Sequence, residues 1–158
     1  MILATEISTI SEFENSLKSL FMVGNEQVIL LHSISIYPPE YKDIHINNLS
    51  TLQTLFDLPI GFSDHTIGTA IPLASVVLGS CLIEKHFTLD KELPGWDHEI
   101  SANPEELKVI CSESKNIAES LGSKTRIVSE AEENKKGKFR RSLIIKKELK
   151  KGHVLTLE

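Results

Sequence analysis

The chain has 158 residues, a formal net charge of −5, and 41% hydrophobic and 25% charged residues. That balance supports one packed domain, or one domain with a tail, and argues against global disorder and against a dedicated nucleic-acid binder. Two cysteines, Cys81 and Cys111, cannot make a disulfide framework or a Cys-based zinc site; both fall in apolar segments, and Cys111 reads as core.

Met1-Ile2-Leu3-Ala4 has the length of a short strand. Thr9 or Ser11 then caps a helix, since Glu12 and Glu14 stand at capping-box spacing. Phe13, Leu17, Leu20 and Phe21 form its apolar face, and Gly24 stops it. Val28 to Leu31 is a second strand, followed by the polar stretch His32 to Tyr41. Ile46, Leu49, Leu52 and Phe56 predict a short helix ending before Pro59. Ile60-Gly61-Phe62 is a third strand, and Ser63-Asp64-His65-Thr66 follows at once. Ile71 to Leu78 reads as a helix of small apolar residues, and Cys81-Leu82-Ile83 as a fourth strand running into Glu84-Lys85-His86. The nearly apolar stretch Ala70 to Ile83 has 14 residues. A membrane-spanning helix needs roughly 18 or more, so a soluble, cytoplasmic protein without membrane contact is expected.

A charged loop, Asp90 to Ser101, precedes the strongest helix signal. There Asn103 caps, Pro104 suits the first helical position, and Glu105 and Glu106 complement the dipole. Leu107, Ile110, Cys111, Ile117, Ala118 and Leu121 share a face that ends at Gly122. Four βα units in succession predict an α/β fold with a parallel sheet across residues 1–122. Residues 123–141 lack periodicity and read as a linker; residues 142–158 read as the start of a small β unit, with strands at Ser142–Ile145 and Val154–Leu157. Nine Lys or Arg residues between Lys135 and Lys151 fit a solvated linker better than a phosphate-binding surface, because aromatic residues are not interleaved with them.

In parallel α/β architecture, active sites gather at the carboxyl ends of strands. Two of those positions carry a histidine within a hydrogen-bonding polar cluster, His65 and His86, 21 residues apart and near one βα repeat. Adjacent strands lie about 5 Å apart, so both imidazoles reach one rim. Two neutral imidazoles, completed by water and substrate oxygens, make an open divalent-metal site. The alternative for each is a hydrogen-bonded surface histidine. Asp64 or Glu84 could orient an imidazole. His32 reads as structural, while His45, His98 and His153 are not matched in this way.

The strand-end clusters, taken in order, resemble the sialic acid synthase (NeuB) family. The resemblance is carried by His32-Ser-Ile-Ser-Ile-Tyr-Pro38, Gly61-Phe-Ser-Asp-His-Thr66, Ile83-Glu-Lys-His-Phe-Thr88 and Pro94-Gly-Trp-Asp-His98. Ser101 to Leu107 and Arg140-Arg-Ser-Leu143 also fit, the last at the start of an antifreeze-like (SAF) domain. Membership implies a partial (β/α)8 TIM barrel followed by linker and SAF segments. A complete barrel of this type takes about 250 residues. It further implies a C–C bond-forming transferase that condenses phosphoenolpyruvate with N-acetylmannosamine, or a related N-acetylated amino sugar, assisted by Mn2+ or Mg2+.

Carried over position by position, the resemblance makes His65 and His86 the metal ligands. It places Ser63 near the phosphate and Tyr37 and Asp97 at the sugar, with Ser35 where Asn is frequent. Glu84 and Asp97 are the carboxylates assigned to catalysis, although Glu84 can equally be a structural partner of a lysine or a histidine N–H. The sequence departs from the family pattern in three places. Ser35 is a shorter arm than Asn, Trp96 stands where Pro is common, and Ala4-Thr5-Glu6-Ile7 replaces Ser-Thr-Gly-Met. The family's phosphoenolpyruvate-binding lysines come from the barrel half that this sequence does not span, so residues 1–158 alone are expected to be inactive. The alternative is a non-catalytic or split-chain interaction module that works with a separate N-terminal half or as a homodimer. A metal-dependent hydrolase would want more ligands, such as His-x-His on the first strand, and none is present.

Overall fold

A computed structural model of the chain describes residues 1–156. The chain divides into two compact units, Met1–Gly122 and Ser123–Glu158. The first is built from β1 (Ile2–Ala4), α1 (Ile10–Met22), β2 (Ile29–Ser33), α2 (Asn48–Leu55), β3 (Ile60–Asp64), α3 (Ala70–Val77), β4 (Ile83–Lys85) and α4 (Pro104–Leu121). Its four strands form one parallel sheet in the order β1-β2-β3-β4. This is the α/β arrangement with a parallel sheet that alternating apolar strands and helices predict, and it agrees with the partial TIM barrel that the family resemblance implies.

Local signals set the helix limits. Thr9 precedes α1, and the Glu12 carboxylate accepts its backbone N–H at 2.7 Å. Gly24 ends α1 with φ +79°, where a side chain would be strained. Asn103 caps α4, its Oδ1 accepting the Glu106 N–H at 2.8 Å while Glu106 accepts the Asn103 N–H. Lys91 pairs with Glu106 at 2.6 Å. Burial raises the Glu106 pKa, but the Lys91 and Asn103 hydrogen bonds outweigh it and hold the carboxyl below its usual range.

Strand alternation separates two faces. Val28, Leu30, Ile60 and Phe62 point toward the helices and pack with Phe13, Leu17, Leu49 and Leu52 as the core. Each fully buried side chain of this size contributes about 1.5–3 kcal/mol. On the opposite face, a Cβ at Gly61 would lie 2.5 Å from Leu31 and 2.8 Å from the Leu82 carbonyl. Only glycine allows β3 to pass there.

Several expectations are corrected. The fourth strand runs Ile83–Lys85 and not Cys81–Ile83, because Glu84 and Lys85 find polar partners on β3 that carry the pairing onward. Cys111 is an exposed free thiol, not core, and Cys81 is exposed as well. Of the predicted α4 face, only Ile110 is buried. Leu107 and Cys111 line an open groove with Val76, Cys81 and Ile83, beside β4, the outer strand among the described residues.

In the second unit, the stretch read as linker contains α5 (Glu130–Phe139). Ser129 and Glu132 form a capping box, with acidic residues in the first turn and Lys136 and Lys138 in the last. None of its residues is buried, so no apolar period marks it. Ser142–Ile145 and Val154–Thr156 are not strands; Leu157, the last residue of the second predicted strand, lies outside the described residues.

Candidate functional site

The strand register assembles the rim. Ser33 of β2 pairs with Ser63 of β3, and Ser63 with Glu84 of β4. β1 pairs with β2 through Ala4 and Leu31, and the Thr5 N–H continues the ladder to the Leu31 carbonyl at 2.9 Å. Two residues beyond Ala4, in the turn after β1, Glu6 reaches Ser33 through its side chain. A polar row therefore crosses the sheet as Glu6–Ser33–Ser63–Glu84. Ser33 donates to Glu6 Oε1 at 2.6 Å, and Ser63 to Glu84 Oε1 at 2.8 Å.

His65 and His86 lie two residues beyond Ser63 and Glu84, on the same face by strand alternation. Their ring centroids are 5.4 Å apart. Tyr37 stacks on His65 at 4.1 Å and meets His86 edge-on at 5.8 Å. His65 Nδ1 donates to the Ile34 carbonyl at 2.8 Å, which fixes the tautomer and leaves Nε2 as the basic nitrogen. The orienting group is thus a backbone carbonyl. Neither Asp64 nor Glu84 orients an imidazole, contrary to the expectation from sequence.

Asp64 has another task. Its carboxylate pairs with Lys85 at 2.6 Å, with both side chains almost fully buried, and accepts the Thr66 N–H and hydroxyl. Lys85 also donates to the Thr66 carbonyl. This ion pair joins β3 and β4 at the residues immediately preceding the two histidines. It locks the register that brings the imidazoles together. His32, read as structural, is buried and donates from Nε2 to the Ile44 carbonyl at 2.7 Å. His98 instead bonds Thr88 Oγ1 at 2.7 Å.

The remaining candidates distribute as follows. Ser35 is at the rim, donating to Glu6 Oε2 at 2.6 Å. Asp97 is on the exposed loop after β4, where its backbone carbonyl accepts from Ser101. The Tyr37 hydroxyl has its pKa raised, first by burial and then by the negative charges of Glu6, Asp97 and Glu84. Tyr37 thus feels three carboxylates, from the turn after β1, from β4 and from the loop.

The sequence assigns Glu6 no role in the site, although it stands just beyond the first apolar run and places a charge where the family pattern has glycine. Burial raises the Glu6 pKa, yet the Ser33 and Ser35 hydrogen bonds and the charges of His65 and His86 outweigh this and lower it. Glu6 is therefore an ionised carboxylate within electrostatic reach of both imidazoles.

The donor set suits an open divalent-cation site. Two imidazoles face one another, one held in a defined tautomer, and among the described residues no further His, Cys, Asp or Glu completes a metal-binding group of three. The remaining coordination positions would fall to water and substrate oxygens.

Comparison with known proteins places this geometry in context. The model of the NeuB family matches residues 1–126. An uncharacterized protein of Methanocaldococcus jannaschii is 42% identical over 158 residues, covering all of this chain and 47% of the relative. The N,N'-diacetyllegionaminic acid synthase of Campylobacter jejuni is 37% identical, covering 99% of this chain and 47% of that enzyme. A crystal structure of N-acetylneuraminic acid (sialic acid) synthetase from Leptospira borgpetersenii, in complex with citrate, superposes with a TM-score of 0.76 at 36% identity. That superposition covers 89% of this chain and 50% of the solved one. The chain thus spans about half the length of the relatives it matches.

Proposed function

The chain belongs to the NeuB family, and from that premise we propose that residues 1–122 supply the metal-binding side of a nonulosonic acid synthase site. The reaction is the condensation of phosphoenolpyruvate with N-acetylmannosamine or a related N-acetylated amino sugar. The observation that carries this reading is the juxtaposition of His65 and His86, 5.4 Å apart at the ends of adjacent parallel strands.

Carbon 3 of phosphoenolpyruvate is a weak nucleophile, so the sugar aldehyde must be polarised. A divalent cation, Mn2+ or Mg2+, supplies Lewis acidity at the aldehyde oxygen when bound. His65 Nε2 and the His86 imidazole would hold it. Carbon 3 then bonds to the aldehyde carbon, positive charge develops at carbon 2, water adds there, and phosphate leaves. Glu84 stabilises that charge or takes the proton of the attacking water. Its carboxylate is kept in place by Ser63. Tyr37, stacked on His65, and Asp97, on the loop beyond, contact the sugar. Ser35 and Ser63 border the phosphoenolpyruvate side.

The phosphoenolpyruvate-binding lysines would come from a complementary barrel half. Each outer strand, β1 and β4, pairs on one side only among the described residues, which favours an added partner, either that half or a second copy of this chain. On this reading residues 1–158 alone do not turn over. A Mn2+ titration followed by the EPR signal of the free ion tests the site. Wild type should bind one ion, and His65→Ala and His86→Ala should each weaken binding at least tenfold; unchanged affinity in both variants removes the site.

A further inference from the structure

We propose that Glu6 is the outer-sphere carboxylate of the cation site at His65 and His86, accepting hydrogen bonds from metal-bound water while Ser33 and Ser35 hold it in place. The inference rests on the metal reading of the imidazole pair and adds a residue to it.

Two hydroxyls from one strand converge on Glu6. Ser33 donates to Oε1 and Ser35 to Oε2, each at 2.6 Å. These are the short distances of charge-assisted hydrogen bonds. Each hydroxyl has a single proton, so both donors are committed to the carboxylate. An ionised carboxyl accepts at about four lone-pair positions. The two serines use one on each oxygen, and further acceptor capacity remains on both.

Charge gives that capacity a use. Two neutral imidazoles leave a divalent cation with its full +2 charge, and water bound to such an ion is a strong donor. A carboxylate held by Ser33 and Ser35, within electrostatic reach of both imidazoles, offsets that charge without displacing a ligand. Partners of this kind commonly change metal affinity by about ten- to a hundredfold when removed. The turn around Glu6 is also unusual, since the next residue, Ile7, has φ +55°, a costly conformation for a β-branched side chain. The chain tolerates this conformation immediately beside the carboxylate.

The test is Mn2+ binding by the full chain, followed by EPR and by water-proton relaxation, in wild type, Glu6→Gln, Glu6→Ala and His86→Ala. Glu6→Gln keeps the shape and removes the charge, and thermal unfolding of each variant monitors the fold. Glu6→Gln should weaken Mn2+ binding about tenfold, with the number of fast-exchanging waters on bound Mn2+ unchanged. If wild type binds and His86→Ala does not, but Glu6→Gln stays within about twofold of wild type, the Glu6 assignment is overturned while the imidazole site stands. A gain of one bound water in Glu6→Gln marks direct ligation and overturns the outer-sphere role. Absence of Mn2+ binding by wild type overturns both readings.

Discussion

At the residue scale, each histidine's role follows from what its ring nitrogens meet. His65 has one nitrogen tied to the Ile34 carbonyl and one free, whereas His32 spends Nε2 on the Ile44 carbonyl inside the core. Burial holds the His32 pKa below its ordinary value of 6.5; the Ile44 hydrogen bond opposes this and the nearby charge of His45 adds to it. The sign of the consequence is definite. Above pH 6.5 the imidazole is neutral in both states and its contribution to stability is complete. As pH falls, the unfolded chain takes up the proton first and stability is lost. The unfolding free energy from urea titrations should therefore drop between pH 7 and pH 5, by at most about 1.4 kcal/mol per pH unit from this group. In His32→Gln that component of the slope should vanish; an unaltered slope would contradict the assignment. The sequence pattern sets His65 and His86 apart from His32 by the carboxylates near them, Asp64 and Glu84, since His32 also follows a strand but has plain neighbours. It did not show which group orients His65, since a backbone carbonyl leaves no mark in residue identity. Nor did it show Glu6 as part of the site, because the partners Ser33 and Ser35 are 27 and 29 residues away.

Elements carry the site through register. The polar row Glu6–Ser33–Ser63–Glu84 and the imidazole pair beyond it exist because three parallel pairings stay in step. The Asp64–Lys85 pair holds the last of these steps. Removing one partner leaves the other as a buried, uncompensated charge, which typically costs about 3–5 kcal/mol. Asp64→Ala should destabilise by that order, while Asp64→Leu combined with Lys85→Met should recover most of the loss. A double-mutant cycle by chemical denaturation measures this, and additive losses would show that the two charges do not act as a pair. Strand and helix order across residues 1–122 was legible, because buried parallel strands read as uninterrupted apolar runs. Strand β4 lies two residues beyond the apolar run because Glu84 and Lys85 are held to β3 by polar partners, Ser63 and Asp64, and not by hydrophobicity. Helix α5 escaped for a related reason. It is specified by caps and charge placement without an apolar face.

For the molecule as a whole, the unit Met1–Gly122 presents a parallel sheet with two outer strands and a rim where Tyr37, His65 and His86 cluster. The α4 face that periodicity assigned to the core is largely open beside β4, with Leu107 and Cys111 exposed. No helix among the described residues is long and apolar enough to cross a membrane. The relatives matched are about twice as long. In the proposed account the rim is one side of a synthase site, and the phosphoenolpyruvate side comes from the complementary barrel half. The most direct measurement is product formation from phosphoenolpyruvate and N-acetylmannosamine, detected with thiobarbiturate in the presence of Mn2+. It should be made on this chain alone and on the chain co-expressed with the N-terminal barrel half of the Campylobacter jejuni relative. The account predicts product only in the second case, with at least a hundredfold loss when His65 or His86 is replaced by alanine (about 2.7 kcal/mol). Robust turnover by the chain alone, or activity indifferent to both histidines, would contradict it.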